Sequence, residues 1–126
     1  MPRFNITPVP KPRMTHADRR IPRPPVTRYW AFKDELNILA KQAGFELPDA
    51  FGVTFYLPMP KSWSKKKKAT MQGQPHQQVP DLDNLEKALL DSLLPGDDSG
   101  VWRKLSQKIW DYEGGIIIGD LNEPFD

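Results

Sequence analysis

The sequence predicts an α+β fold in which a small mixed sheet packs against two main helices. Two stretches have helical periodicity, and separate short stretches alternate or run apolar as strands do. The length of 126 residues suits one domain with a modest core. We therefore predict a single domain over 1–126, with a proline-rich basic arm at 1–25 and a mobile lysine-rich loop at 60–79.

The N-terminal half of the chain supplies the arm, the first helix and a long strand. Residues 4–8 are predicted to form a short edge strand, because proline lacks the N–H that a central strand needs. Residues 27–43 are predicted to be a helix ended by Gly44, because apolar residues recur every three or four positions, at Tyr29, Phe32, Leu36, Leu39 and Ala43. Residues 51–59 alternate in polarity, which is the pattern of a half-buried strand.

The C-terminal half begins with the lysine-rich loop, which has no apolar periodicity. A second helix is predicted at about 84–94, ended by Pro95 and Gly96. The apolar stripe of this helix is expected to face the sheet and consists of Leu82, Leu85, Ala88, Leu89 and Leu93. Residues 101–112 fit either a helix or a strand, whereas 115–121 are predicted to be a short buried strand.

Composition excludes several classes of protein. The chain has no cysteine, so it has no disulfide framework and no thiolate zinc site. Its two histidines, His16 and His76, are too few and too scattered to indicate a histidine metal site. The N-terminus lacks the apolar run of a signal peptide, and no stretch approaches transmembrane length. We therefore expect a soluble, cytoplasmic protein that does not enter a membrane.

The net charge of +2 conceals a strong asymmetry along the chain. Residues 1–68 hold 14 Lys/Arg and 5 Asp/Glu, a net charge of +9, whereas 69–126 hold 4 and 11, a net charge of −7. A basic half indicates a polyanionic partner, which the acidic half would repel. Divalent cations would remove this conflict, so the asymmetry points to a metal-dependent enzyme acting on nucleic acid.

Four aspartates flank the second predicted helix: Asp81 and Asp83 at its start, and Asp97 and Asp98 after its end. Taken one at a time, each is explained by local structure, as a turn residue or by a capping box of Asp83 with Glu86. Capping accounts for only one carboxylate. A shared Mg²⁺ explains the group better, because this hard cation binds carboxylate oxygens from converging elements.

Lys87 follows Asp83 by one helical turn. It would contact a scissile phosphate or stabilise developing negative charge; the structural alternative is an ion pair with Asp83 or Asp91. A calcium-binding EF-hand starting at Asp81 is excluded, because its sixth and twelfth positions would be Glu86 and Ser92.

Two basic segments are candidates for DNA contact. The first directly precedes the acidic residues and contains Lys61, Trp63, Lys65, Lys66, Lys67 and Lys68. The second is in the arm and contains Lys11, Arg13, Arg19, Arg20 and Arg23. Cations of this density bind phosphates without sequence preference. Trp63 would stack on an unpaired base or anchor its loop.

The stretch PDLDNLEKALLDSL followed by GDDSGVW, residues 80–102, resembles the RusA family of Holliday junction resolvases, especially phage-encoded members. Looser similarity extends to PVPKPRMT, VTRYWAFKDEL and MPKSWSKKKK. The resemblance implies a homodimeric α+β endonuclease that needs Mg²⁺, with Mn²⁺ as an alternative, and cuts four-way junctions symmetrically. The family's catalytic aspartates fall on Asp81, Asp83 and Asp98, its motif lysine falls on Lys87, and Asp91 takes a supporting position.

Several alternatives stay open at this point. The short spacing after Asp91 leaves Asp97 as an alternative ligand to Asp98, and the resemblance favours a strand at 101–112. Leu90 and Leu94 are candidates for a dimer seam or for the core. The substrate range is open as well: the alternatives are Holliday junctions alone or several kinds of branched DNA. Two rival functions are a DNA-binding protein of the same fold without catalysis, and an adaptor that binds partners through its proline-rich arm.

Overall fold

A computed structural model describes residues 2–121; Met1 and residues 122–126, which belong to the same predicted domain, lie outside the described residues. The elements along the chain are β1 (Arg3–Phe4), α1 (Pro24–Gln42), β2 (Ala50–Pro58), α2 (Lys65–Met71), α3 (Leu82–Leu93), β3 (Arg103–Asp111) and β4 (Gly115–Gly119). One turn of 3₁₀ helix, His16–Arg19, lies in the arm. The predicted α+β class, with a mixed sheet and two main helices, is confirmed.

The four strands form one sheet in the order β1-β4-β2-β3. β4 pairs antiparallel with β1 and β2, whereas β2 and β3 run parallel, from Ala50 opposite Arg103 to Pro58 opposite Asp111. Parallel neighbours need a crossover connection, and α2 and α3 supply it. β3 therefore lies at one edge of the sheet, with α3 packed beside it.

The core lies between one face of the sheet and helices α1 and α3. Its largest fully buried side chains include Tyr29, Leu36, Phe51, Phe55, Leu85, Leu89, Ile116 and Ile118. Leu90 is 8% exposed and belongs to this core, and Leu94 packs against it. Leu90 is thus a core residue and Leu94 lies at the margin of the core; a role of either in a dimer seam stays a prediction.

Element boundaries follow the local signals with small shifts. α1 begins at Pro24, three residues earlier than predicted, because proline at the first helical position lacks only an N–H that would be unpaired there anyway. Gly44 follows the end of α1 with a φ of 63°, a conformation that glycine adopts without strain. The first strand is shorter than predicted, since only Arg3–Phe4 pairs with β4. Residues 101–112 contain the strand β3.

The lysine-rich segment contains a helix, so the prediction of a continuous loop is wrong at Lys65–Met71. Ser64 caps this helix, because its Oγ accepts a hydrogen bond from the Lys67 N–H at 3.1 Å. α2 buries no residue, which explains why apolar periodicity did not reveal it. The mobility expected of residues 60–79 stays a prediction. Among residues 2–121, no helix is long and apolar enough to cross a membrane.

Candidate metal and DNA site

The start of α3 presents two exposed carboxylates. Asp81 is the N-cap residue, yet its side chain accepts no capping hydrogen bond. Within the described chain, the ion pair of Asp83 is with Lys87, 3.9 Å between Oδ2 and Nζ, and both side chains are largely exposed. Such a pair contributes at most about 1 kcal/mol. Both carboxylates are therefore available to a ligand, at a helix end whose dipole favours negative charge.

The capping box considered for Asp83 and Glu86 does not form. Glu86 Oε2 accepts a hydrogen bond from Ser106 Oγ at 2.7 Å, and Glu86 Oε1 lies 3.7 Å from Lys104 Nζ. Glu86 thus ties α3 to the neighbouring strand β3. Local capping leaves the aspartates at the start of this helix unexplained.

Asp97 and Asp98 follow the other end of α3 and have different surroundings. Asp97 Oδ1 accepts a hydrogen bond from the Ser99 N–H at 2.9 Å, and the side-chain and backbone hydrogen bonds of Ser99 hold the pKa of Asp97 below its usual value. The Asp98 side chain forms no such bond within residues 2–121. It lines a cavity of about 290 Å³ together with Leu90 and residues 101–104.

The two acidic segments do not meet in one chain. Asp98 shares its cavity with Leu90, which lies seven positions after Asp83, about 10 Å further along the helix axis. Among residues 2–121, no three His, Cys, Asp or Glu side chains are grouped so that they could hold a metal ion. The convergence expected of Asp81, Asp83, Asp97 and Asp98 is therefore not observed within a single chain.

Asp91 has the supporting position expected of it. Its carboxylate lies 2.7 Å from Lys11 Nζ and accepts a hydrogen bond from the Tyr29 hydroxyl. Burial acts to raise the pKa of Asp91, but the hydrogen bonds from Lys11 and Tyr29 outweigh it and lower the pKa. The Lys11 N–H also donates to the Asn84 carbonyl at 3.0 Å, so Lys11 fastens the arm to α3. This lysine is not a free DNA contact.

The rest of the arm is organised around a buried aspartate. Asp18 is 3% exposed and accepts hydrogen bonds from the Thr15 N–H at 2.8 Å and from Arg23 Nε at 3.0 Å. These bonds, that of Arg23 above all, hold the pKa of Asp18 well below its usual range. Arg23 also donates to the carbonyl of Arg13. Arg23 is thus a structural cation.

Three arginines of the arm stay available for DNA. The side chains of Arg13, Arg19 and Arg20 are exposed, and none of them forms an ion pair within the described residues. The predicted set of five arm cations therefore divides into two that hold the fold and three that face solvent.

Helix α2 carries four consecutive lysines, Lys65 to Lys68, which point in directions about 100° apart. The Lys67 ammonium lies 4.2 Å from the centre of the Trp63 ring, and Trp63 packs on Trp110 at 4.8 Å between ring centres. Trp63 thus has the contacts of an anchor. Lys61 and the other lysines of α2 form no ion pair within the part of the chain that the structure describes.

Sequence analysis did not single out Lys108, which lies beside this site. Its ammonium donates to the main-chain carbonyl of Pro80, the residue before Asp81. A lysine in the middle of a strand carries no signal of such a contact, because the pairing of β3 with the chain before α3 is set by tertiary structure.

Exposed carboxylates at the start of α3 and exposed cations in the arm and in α2 are together typical of an enzyme that acts on nucleic acid. The chain matches the family model described as Endodeoxyribonuclease RusA over residues 4–119, and it belongs to this family of endodeoxyribonucleases. RusA nucleases act on branched DNA junctions and generally depend on divalent metal. No curated protein matches the chain. The resemblance inferred from residues 80–102 is thus confirmed.

Proposed function

We propose that the chain is a homodimeric, Mg²⁺-dependent endonuclease that resolves Holliday junctions or related branched DNA by symmetric cutting in the cytoplasm of a bacterial or phage-infected cell. The observation that carries this proposal is the pair of exposed, uncommitted carboxylates of Asp81 and Asp83 at the start of α3. A helix that needed these residues only for its own stability would use at least one of them as a cap.

Lys87 has the position of a phosphate contact. It lies one turn after Asp83 and is 60% exposed, and its present ion pair is long and weak. A DNA phosphate would replace that pair at little cost. Mg²⁺ held by Asp81 and Asp83 would polarise the phosphodiester and activate a bound water.

In this proposal, a second chain supplies a third carboxylate beside Asp81 and Asp83. α3 runs antiparallel to β3. Pro80, just before the helix, contacts Lys108 near the end of the strand, whereas Glu86, within the helix, contacts Lys104 near the start of the strand. If two copies pair antiparallel along their β3 edges, the two α3 helices become antiparallel neighbours on the same face of the joined sheet. The partner subunit's Asp98 then approaches Asp81 and Asp83, and the dimer has two sites related by a two-fold axis.

The outer edge of β3 supports this arrangement. The Lys108–Trp110 end of this edge is covered by residues 73–76, but no described strand pairs with the outer edge of residues 103–106. Trp102 at 73% exposure and Leu105 at 46% lie along the open part. An open strand edge with exposed apolar residues is a template for pairing with another chain.

DNA would lie across the basic segments on either side of this site. The exposed cations are Lys61, Lys65, Lys66, Arg13, Arg19 and Arg20, and Lys68 is partly exposed. Contacts of this kind bind the phosphate backbone irrespective of sequence and are sensitive to salt. A two-fold dimer matches the two-fold symmetry of a four-way junction, which would place one site at each of two opposed strands.

The test is Asp83→Asn, assayed on labelled four-way, forked and linear duplex DNA with and without Mg²⁺. We expect the variant to shift the four-way junction on a gel as the wild type does, and to cut it at least about 100-fold more slowly, because a site carboxylate is lost. Asp34→Asn is the matched control, since Asp34 is an exposed aspartate of α1. Cutting by Asp83→Asn at the rate of Asp34→Asn would refute the assignment.

A further inference from the structure

One side chain of strand β3, that of Lys108, holds the segment that precedes α3. The ammonium of Lys108 donates hydrogen bonds to the main-chain carbonyls of Gln78 at 2.7 Å and Pro80 at 2.8 Å. Because Pro80 directly precedes Asp81, Lys108 fixes the peptide from which Asp81 extends. Within residues 2–121, Lys108 forms no ion pair with a carboxylate.

The same end of β3 holds the preceding residues by backbone hydrogen bonds. The Trp110 N–H donates to the Gln74 carbonyl at 3.0 Å, and the His76 N–H donates to the Lys108 carbonyl at 3.0 Å. The buried His76 ring packs on Trp110 at 4.1 Å between ring centres. Residues 73–80 are thus held along the edge of β3, and Lys108 makes the last attachment before the helix.

A lysine is an unexpected choice for a purely structural attachment here. The start of α3 already carries the positive end of a helix dipole, which disfavours a further cation. A neutral donor would hold two carbonyls without this repulsion. The ammonium instead adds positive potential beside Asp81 and Asp83, where the proposed function brings DNA phosphate.

We propose that Lys108 is a positioning residue for Asp81. Its two hydrogen bonds set the direction in which the Asp81 carboxylate leaves the start of α3, and its charge contributes to the potential at that point. This inference rests on the proposed function, in which Asp81 holds the metal. Lys108 itself contacts only protein atoms, so its effect on cutting is indirect.

Lys108→Met tests this role against Lys41→Met. Lys41 is an exposed lysine near the end of α1, and its substitution removes the same charge away from the proposed site. We expect Lys108→Met to lower the single-turnover cutting rate about 10–100-fold, as for residues that orient metal ligands, with junction affinity in EDTA unchanged. Lys41→Met should change neither quantity more than about twofold. Wild-type cutting by Lys108→Met would overturn the proposal, and so would an equal loss in both variants.

Hydrogen exchange of the Leu85 amide provides a readout without metal or DNA. The Leu85 N–H donates to the Asp81 carbonyl at 3.2 Å, so it reports on the first turn of α3. We expect faster exchange in Lys108→Met and not in Lys41→Met; unchanged exchange would contradict the positioning role. Lys108→Arg keeps charge and donors and should restore most of the cutting. If Lys108→Met does not fold, Lys108→Gln, which is too short to reach both carbonyls, replaces it in the same comparison.

The two proposals fail in different ways. A wild-type protein that cuts no branched DNA with any divalent cation would refute the proposed function, and the Leu85 exchange would still decide whether Lys108 positions the segment. A wild-type protein that cuts, together with a Lys108→Met variant that cuts equally well, refutes the positioning role alone.

Discussion

Adjacent aspartates after α3 differ in what their side chains already do. The Asp97 carboxylate closes a turn by accepting the Ser99 N–H, whereas the Asp98 carboxylate is uncommitted in the described chain and faces a cavity. One oxygen of Asp97 is thus already engaged, whereas both oxygens of Asp98 are uncommitted among the described residues. We therefore propose Asp98 rather than Asp97 as the metal ligand, a choice that was open from sequence.

We expect Asp98→Asn to reduce junction cutting at least about 100-fold and Asp97→Asn to retain it within a few-fold. The two variants differ by one position and lose the same charge, so each controls for the other. The measurement is single-turnover cutting of a four-way junction at saturating protein. The opposite ranking of the two variants would transfer the metal-binding role to Asp97.

His76 is the buried titratable group of the segment before α3. It is 6% exposed, and its Nδ1 has no hydrogen-bond partner within the described residues. Burial, and secondly the charge of Lys108, lower the pKa of His76 below 6.5. The folded state therefore resists a proton that the unfolded state accepts near pH 6.5.

We expect the free energy of unfolding to fall as the pH is lowered below about 6.5, because the unfolded state binds more protons there. The contribution of His76 is full above that pH and decreases until the folded-state pKa is reached. His76→Gln should flatten the dependence between pH 7 and pH 5 in urea titrations, whereas His16→Gln, at an exposed position, should not. Equal slopes for wild type and His76→Gln would contradict this account.

At the scale of elements, the arm is held in place by two ion pairs. Lys11 ties it to α3 through Asp91, and Arg23 pairs with Asp18 inside the arm, just before α1. Arg13, Arg19 and Arg20 form no ion pair among the described residues. The fold thus separates structural cations from solvent-facing cations within one basic stretch.

Asp18→Asn is expected to lower the free energy of unfolding and with it the urea midpoint, because it neutralises a carboxylate that accepts several hydrogen bonds from Thr15 and Arg23. The loss stays below that of a fully buried pair, since Arg23 is 50% exposed and regains water. Urea unfolding at pH 7 measures this loss of stability. An Asp18→Asn variant with the stability of the wild type would refute this structural role of the Asp18–Arg23 pair.

The double variant Arg19→Met and Arg20→Met should leave stability within about 0.5 kcal/mol. It should also reduce the salt slope of junction binding by about 2.

Helix α2 is an attachment to the fold rather than part of its core. It buries no residue and is anchored through Trp63 on Trp110. Its lysines surround the helix, so only part of them faces any one DNA duplex. Helix α2 is thus a solvent-exposed basic helix that precedes α3 in the chain.

At the scale of the whole molecule, the separation of the acidic segments by α3 favours a site shared between two chains. A shared site makes a distinctive prediction for mixed dimers. We expect Asp83→Asn and Asp98→Asn to be inactive alone and to nick junctions after subunit exchange. One site of the mixed dimer then carries both substitutions, and the other carries neither. Nicking of one strand per junction is the expected product.

An intrachain site gives the opposite result, because every site in the mixed dimer would carry one substitution. Continued inactivity after verified subunit exchange would therefore exclude sharing.

Ser106→Pro removes an outward N–H from the open edge of β3 and should abolish dimer formation in sedimentation. Ser106→Ala loses the same hydroxyl bond to Glu86 and keeps the N–H, so it should remain dimeric.

Local patterns in the sequence predicted most of the elements. The stripe of Tyr29, Phe32 and Leu36 predicted α1, and the alternation around Phe55 predicted β2, because burial on one face imposes the period of the element. α2 escaped prediction because a solvated helix has no such period. β3 was ambiguous because an edge strand keeps only part of its residues apolar.

The identity and order of the acidic and basic residues, and with them the family, were readable from the sequence alone, because they are properties of the chain itself. Which charges remain free was decided only by tertiary structure. Lys11 and Asp91 pair with each other across 80 positions of the chain, and Asp98 shares a cavity with Leu90 rather than with Asp81 and Asp83. Pairing distances of this kind arise when helices and strands pack, and no local pattern encodes them.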